Sequence, residues 1–153
     1  MILAFFMACG GESDFDVSGS FDGNSFVPVS AFFGTKHIVF FDRETECIDT
    51  YWVQDNYNST RSPEDSVTTN ALQITYLDSN VVIGQNTIGS GSPVSAYFLQ
   101  LAGEDFSIDR ANEGTIEIDS VDELAVGGFN VSFREKGTVS GTFALENCVN
   151  LTD

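Results

Sequence analysis

The fold is decided by three consecutive segments near the C-terminus, Gly114-Thr-Ile-Glu-Ile-Asp119, Leu124-Ala-Val-Gly-Gly-Phe-Asn-Val-Ser-Phe-Arg134 and Thr138-Val-Ser-Gly-Thr-Phe-Ala-Leu145. Apolar and polar residues alternate along each segment, which is the pattern of a β-strand with one buried face. The polar turn Glu135-Lys136-Gly137 separates the second segment from the third. Within the second segment, Gly127-Gly128 predicts a bulge or bend at which the strand crosses between two sheets.

The same alternation continues upstream, and no segment shows a sustained helical period. Asp22-Gly23-Asn24 is a hairpin turn signal, and Lys36–Phe41 is apolar enough for a strand buried on both faces. We therefore expect an all-β fold, an antiparallel β-sandwich or flattened barrel of Greek-key or jelly-roll type with about 8 to 10 strands. The further predicted strands are 15–21, 25–33, 49–53, 71–77, 86–88, 94–101 and 106–108, with a long polar loop over 55–70.

The N-terminus predicts export. Met1–Ala8 is uncharged and apolar, and Cys9-Gly10-Gly11 follows it. The apolar run is too short for a membrane-spanning helix, which needs about 20 residues, and a small residue before a cysteine is typical of a lipoprotein signal. Two features depart from that pattern: Phe6 stands where leucine is favoured, and no basic residue precedes the run, so we expect the signal to start further upstream. An ordinary N-terminal segment with a buried cysteine is the alternative.

This interpretation divides the chain into a signal peptide at 1–8, a lipidated Cys9 with a short tether at 9–14, and one domain at 15–153. Gly10 follows the cysteine in place of the aspartate that marks inner-membrane retention, so we expect the protein at the outer membrane of a bacterial cell envelope, held by its lipid. The two remaining cysteines, Cys47 and Cys148, are an even pair in an exported chain and predict a disulfide. The competing interpretation is a metal site, which two isolated cysteines and one histidine support poorly.

The net charge of the chain limits the classes of partner that it is expected to bind. It carries 23 acidic and 6 basic residues, a formal net charge of −17. Nucleic acids are electrostatically disfavoured as partners because their binding requires a basic face, and we expect no nucleic-acid partner. The acids indicate a solvated surface, with divalent cations or a basic partner as alternatives. Asp14, Asp16 and Asp22 are weak Ca²⁺ candidates, but their spacing follows no known calcium loop, so no cofactor is expected.

The quoted C-terminal segments together with Val139-Ser-Gly-Thr-Phe-Ala-Leu-Glu-Asn-Cys148, and Val17-Ser-Gly-Ser-Phe21 near the start, carry a resemblance. Their rhythm of glycines, aromatic residues and a final cysteine resembles that of small bacterial lipoproteins of unknown function. The resemblance implies a β-sandwich-like domain and an envelope location. It implies no reaction and no catalytic residue.

Signals for catalysis are few. His37, the only histidine, lies within a predicted strand, and nucleophile, phosphate-binding and zinc motifs are absent from the sequence. Tyr51, Trp52 and Tyr57 are the candidate ligand-binding residues, as an aromatic platform for a glycan or a protein, although Trp52 could equally anchor the core. We expect a non-enzymatic binding or envelope-structural module. The alternative is a carbohydrate-active or other hydrolytic domain that uses Asp or Glu near Trp52.

Overall fold

The all-β prediction is confirmed. The computed structural model describes residues 13–47, 68–102 and 105–148, and most of these residues lie in strands. A short 3₁₀ turn at Arg134–Lys136 joins the last two strands. The strands, in chain order, are β1 (Asp14–Phe21), β2 (Asn24–Phe26), β3 (Ser30–Phe33), β4 (His37–Phe41), β5 (Thr69–Tyr76), β6 (Gly84–Gly89), β7 (Val94–Ala102), β8 (Asp105–Arg110), β9 (Glu113–Val121), β10 (Leu124–Ser132) and β11 (Thr138–Glu146).

These eleven strands form one hydrogen-bonded sheet, in the order β2-β1-β11-β10-β9-β6-β7-β5-β4-β3, with β8 added beside β7. The sheet curls strongly into a half-barrel, and a division into the two layers of a sandwich is not seen among the described strands. The sheet is also mixed where a purely antiparallel one was predicted, because β6 and β7 run parallel where Ile88 meets Val94.

The segment between the first hairpin and β4 differs from its prediction. Residues 25–33 were predicted as one strand, but β2 pairs with β1 while β3 pairs with β4. The break falls at Val27-Pro28-Val29, where proline has no N–H to give to a ladder. Since β2 and β3 are the first and last strands of the sheet order, this three-residue link ties one edge of the sheet to the other.

Two local predictions are confirmed by the backbone. Asp22 and Gly23 both have positive φ, 51° and 78°, as the tight turn of a hairpin requires. The register of β10 against β9 shifts between Val126 and Gly127, so the glycine pair does mark a bulge. The strand nevertheless continues in the same sheet after the bulge and does not cross to a second one.

Phenylalanines fill the concave side of the half-barrel. Phe21 stacks on Phe98 with ring centroids 4.0 Å apart, and Phe26 and Phe133 meet Phe98 edge-on. A second group surrounds Phe40, which is fully buried. Such pairs contribute about 0.5 to 1.5 kcal/mol each beyond the burial of their area. The ring neighbours of Phe40 are Phe15, Phe129 and Phe143.

Strand β4 is buried on both faces, as predicted. Ile38 and Phe40 belong to the concave core, while Val39 and Phe41 belong to a smaller cluster on the convex side. Cys148 lies in that smaller cluster. The convex side of β4 is thus apolar as well, which explains why alternation is weak in this strand.

The predicted disulfide is confirmed. Cys47 and Cys148 are bonded, with their Cα atoms 5.5 Å apart across 101 positions of sequence. Cys148 also donates its backbone N–H to the Phe33 carbonyl at 2.6 Å, next to a parallel bridge between Phe33 and Asn147. The end of β11 is therefore held against β3 by backbone hydrogen bonds and against the segment after β4 by the disulfide.

Candidate functional site

The concave side of the sheet changes from apolar to polar at one end of the half-barrel. Phe40, Leu72 and Phe98 face one another across β4, β5 and β7 and are buried. Two residues away from Leu72 and Phe98, on the same face, Asn70 of β5 is opposite Gln100 of β7, and Gln100 is opposite Ser107 of β8. Asp42 completes this line next to Asn70. We call these four side chains the polar row: Asp42, Asn70, Gln100 and Ser107.

Hydrogen bonds run along the polar row in one direction. Gln100 Nε2 donates to Asn70 Oδ1 at 3.1 Å, and Asn70 Nδ2 donates to Asp42 Oδ2 at 2.6 Å. The Asn70 backbone N–H donates to the other oxygen of the same carboxylate at 2.9 Å. Donors thus point from Gln100 towards the single negative charge at Asp42, so each hydrogen bond polarises the next.

The backbone explains why Asp42 takes this position. Strand β4 ends at Phe41, and the Asp42 N–H bonds the Asn70 carbonyl at 3.1 Å, which continues the β4–β5 ladder by one residue. Arg43 then points to the other face, where Nη1 donates to Thr69 Oγ1 at 3.3 Å. The charged neighbours Asp42 and Arg43 are therefore separated by the sheet itself and do not pair.

An exposed apolar side chain, Val29, lies beside the polar row. Val29 donates its backbone N–H to the Phe41 carbonyl at 2.8 Å, which brings it next to Asp42. Val27 and Val29 are 57% and 49% exposed, in contrast to the buried Phe26 that precedes them. This end of the half-barrel therefore presents hydrogen-bonding groups and a small apolar surface together.

The polar row has hydrogen-bonding capacity to spare. Asp42, Asn70 and Gln100 are half-buried, and Ser107 is exposed. The bonds described above use one N–H of each amide and leave Gln100 Oε1 without a donor among the described residues. With one carboxylate and no histidine, cysteine or lysine, the row offers hydrogen bonding to a ligand but no nucleophile with an adjacent base.

All of the predicted ligand-binding and lipidation residues lie outside the described part of the chain. These are Cys9, Tyr51, Trp52 and Tyr57, so their predictions remain as they were made. The polar row was not predicted. The sequence assigns Asp42 no role, and Asn70 falls at the end of the predicted polar loop at 55–70. Alternation extended two residues upstream of Ala71 is the one signal that would have put Asn70 on the core face of a strand.

The three weak calcium candidates do not converge. Asp14 and Asp16 are exposed on β1, whereas Asp22 lies in the turn after the other end of that strand. Eight strand residues span about 25 Å, so one ion cannot contact both ends. Over residues 13–47, 68–102 and 105–148, no group of three or more His, Cys, Asp or Glu side chains is placed to hold a metal ion.

His37 and Tyr76 are two further titratable residues within strands. His37 Nδ1 lies 3.1 Å from Thr75 Oγ1 and 3.0 Å from Gln73 Nε2 on the convex face, in a side-chain network of neighbouring strands. Tyr76 is 1% exposed, and its hydroxyl makes no hydrogen bond of normal geometry. Burial raises the pKa of Tyr76 to about 12, and the Asn86 side chain offsets part of that rise.

Comparison with protein-family models, with curated proteins and with solved structures found no match to this chain. In the part of the chain that the structure describes, no helix is long and apolar enough to cross a membrane.

Proposed function

We propose that this protein is an exported lipoprotein, anchored to a bacterial envelope membrane through Cys9, whose β domain is a non-enzymatic binding or envelope-structural module. The outer membrane is its proposed location, with the domain at 15–153 held close to the bilayer by the short tether. The partner through the anchor is the membrane, and the ligand of the domain is a glycan or a protein.

The observation that carries this proposal is the disulfide between Cys47 and Cys148. Stable disulfides belong to chains that fold in oxidising compartments, because cytosolic thiols are kept reduced. The bond uses two of the three cysteines and leaves Cys9, which stands directly after the small residue Ala8, as the remaining thiol. This division of roles is what a lipid-anchored exported domain requires.

The polar row supports binding rather than turnover. Its one carboxylate already accepts two N–H bonds from Asn70, and glycoside hydrolysis requires a pair of carboxyl groups on either side of the bond that is cleaved. The net charge of −17 favours partners that are neutral or basic over polyanions.

The test is the intact mass of the protein after expression with a complete signal sequence in a Gram-negative host, measured on separated membrane and soluble fractions. We expect the membrane fraction to contain a chain that begins at Cys9 and carries acyl groups, with the mass of two hydrogens gained on reduction. Cys9→Ser is the control, and it should release an unacylated protein that keeps its disulfide. An unprocessed, reduced, cytosolic chain would refute the proposal.

A further inference from the structure

We propose that the polar row binds neutral carbohydrate through adjacent hydroxyl groups, with Asp42, Asn70 and Gln100 as the principal contacts. This inference rests on the proposed function as a binding module and names its ligand class and site. The site differs from the aromatic residues that the sequence indicated.

The free hydrogen-bonding groups of the polar row match those of adjacent sugar hydroxyls. After the internal bonds are made, each amide retains one N–H, Gln100 retains a free carbonyl oxygen, and the Asp42 carboxylate retains lone pairs. Donors and acceptors therefore alternate along the row at the spacing of neighbouring strands, about 4.8 Å. A sugar hydroxyl both donates and accepts, so a pair of adjacent hydroxyls can satisfy a carboxylate and a neighbouring amide at the same time.

The side chains of the polar row are held in place before a ligand binds. Asn70 is held by Asp42 on one side and by Gln100 on the other, and its own backbone is locked between β4 and β7. Little side-chain freedom is then lost on binding, which lowers the entropic cost of capturing a small polar ligand.

An exposed apolar surface lies next to the polar row. A pyranose ring has a C–H face as well as hydroxyls, and the exposed Val29 offers aliphatic surface next to Asp42. The formal net charge of −17 disfavours acidic sugars, because they would be repelled by the surface of the domain. Neutral hexoses and N-acetylhexosamines are the class that fits both features.

The experiment measures binding of the methyl glycosides of glucose, galactose, mannose and N-acetylglucosamine to the purified full chain by saturation-transfer and amide-shift NMR. We expect at least one glycoside to bind and to shift the amide signals of Asn70 and Gln100. Gln100→Ala should weaken that binding about tenfold, as the loss of a ligand hydrogen bond does. Gln85→Ala removes an exposed glutamine from the convex side of β6 and should change affinity less than about twofold.

Gln100→Glu serves as a second variant, because it keeps the shape of the side chain and removes its N–H donors, and the amide spectrum reports whether each variant is folded. The inference is overturned if no glycoside binds, if the shifted amides lie on the convex face, or if Gln85→Ala lowers the affinity as much as Gln100→Ala does. Binding of a lysine-rich peptide at the row with no glycoside binding would also overturn it. A lipidated, membrane-bound protein without sugar binding refutes this inference alone, whereas sugar binding by an unprocessed chain refutes only the proposed anchoring.

Discussion

Reduction of the Cys47–Cys148 disulfide is expected to destabilise the domain by about 4 to 5 kcal/mol. The two cysteines are 101 positions apart, and in the chain-entropy account a loop of that size costs the unfolded chain about 4.7 kcal/mol of conformational freedom. Domains of this size are stable by about 5 to 15 kcal/mol, so the loss is a large share of the total. The urea midpoint should fall by roughly 2 to 3 M at a typical slope of about 2 kcal/mol per M.

The assay is urea unfolding followed by far-UV circular dichroism, with and without reductant, in the Cys9→Ser background so that no third thiol exchanges. Hydrogen exchange tests which part of the sheet opens when the disulfide is reduced. The Cys148 amide, which bonds Phe33 at 2.6 Å, should lose protection first, while the β9–β10–β11 ladders stay protected. A midpoint that shifts by less than about 0.5 M, or a uniform loss of protection, would contradict this account of the bond.

Three further predictions concern the sheet. Gly127→Ala should lower the free energy of unfolding in urea by about 3 kcal/mol, because the added Cβ would lie 2.1 Å from a backbone oxygen of β9. The control Gly128→Ala has its nearest contact at 3.2 Å and should lower it by less than about 1 kcal/mol. Equal losses in the two variants would refute this explanation. The free energy of unfolding should fall between pH 10 and about pH 12, because the Tyr76 hydroxyl ionises in the unfolded chain while it stays protonated in the folded one. In Tyr76→Phe the total fall over this range should be smaller by about 2 to 3 kcal/mol. A double-mutant cycle of Asp42→Ala and Asn70→Ala should give a coupling free energy of about 1 to 2 kcal/mol, and a coupling near zero would show that the two side chains act independently.

Local patterns predicted the strands because each depends on residues close together in sequence. The last three strands lie where alternation placed them, at Glu113–Val121, Leu124–Ser132 and Thr138–Glu146. Asp22-Gly23 made the first hairpin evident for the same reason. Which strands pair with each other could not be predicted in this way, because the pairing joins strands that are distant in sequence. Only the structure shows that Pro28 separates a strand that pairs with β1 from one that pairs with β4.

The polar row escaped prediction for a related reason. Asp42, Asn70 and Gln100 are separated by 28 and 30 positions, and they meet only because the registers of β4, β5 and β7 coincide. Each residue taken alone is an ordinary polar side chain near a strand end. Asn70 follows a polar stretch with no periodicity, so the sequence around it resembles a loop until its partner strand is known.

A second change of strand partner follows β8, next to the polar row. After β8, Ala111 donates to the Ala96 carbonyl and Asn112 donates to the Ser132 carbonyl, so the chain moves from the side of β7 to that of β10 within two residues. Strand β6 then occupies the place between β7 and β9. Among the described strands β8 consequently pairs only with β7, and the phenylalanine core ends at Phe98 instead of continuing onto β8. Polar residues can lie on this face at Gln100 and Ser107 because none of the described strands closes over them, and the same partner change leaves the candidate binding surface at this end of the sheet.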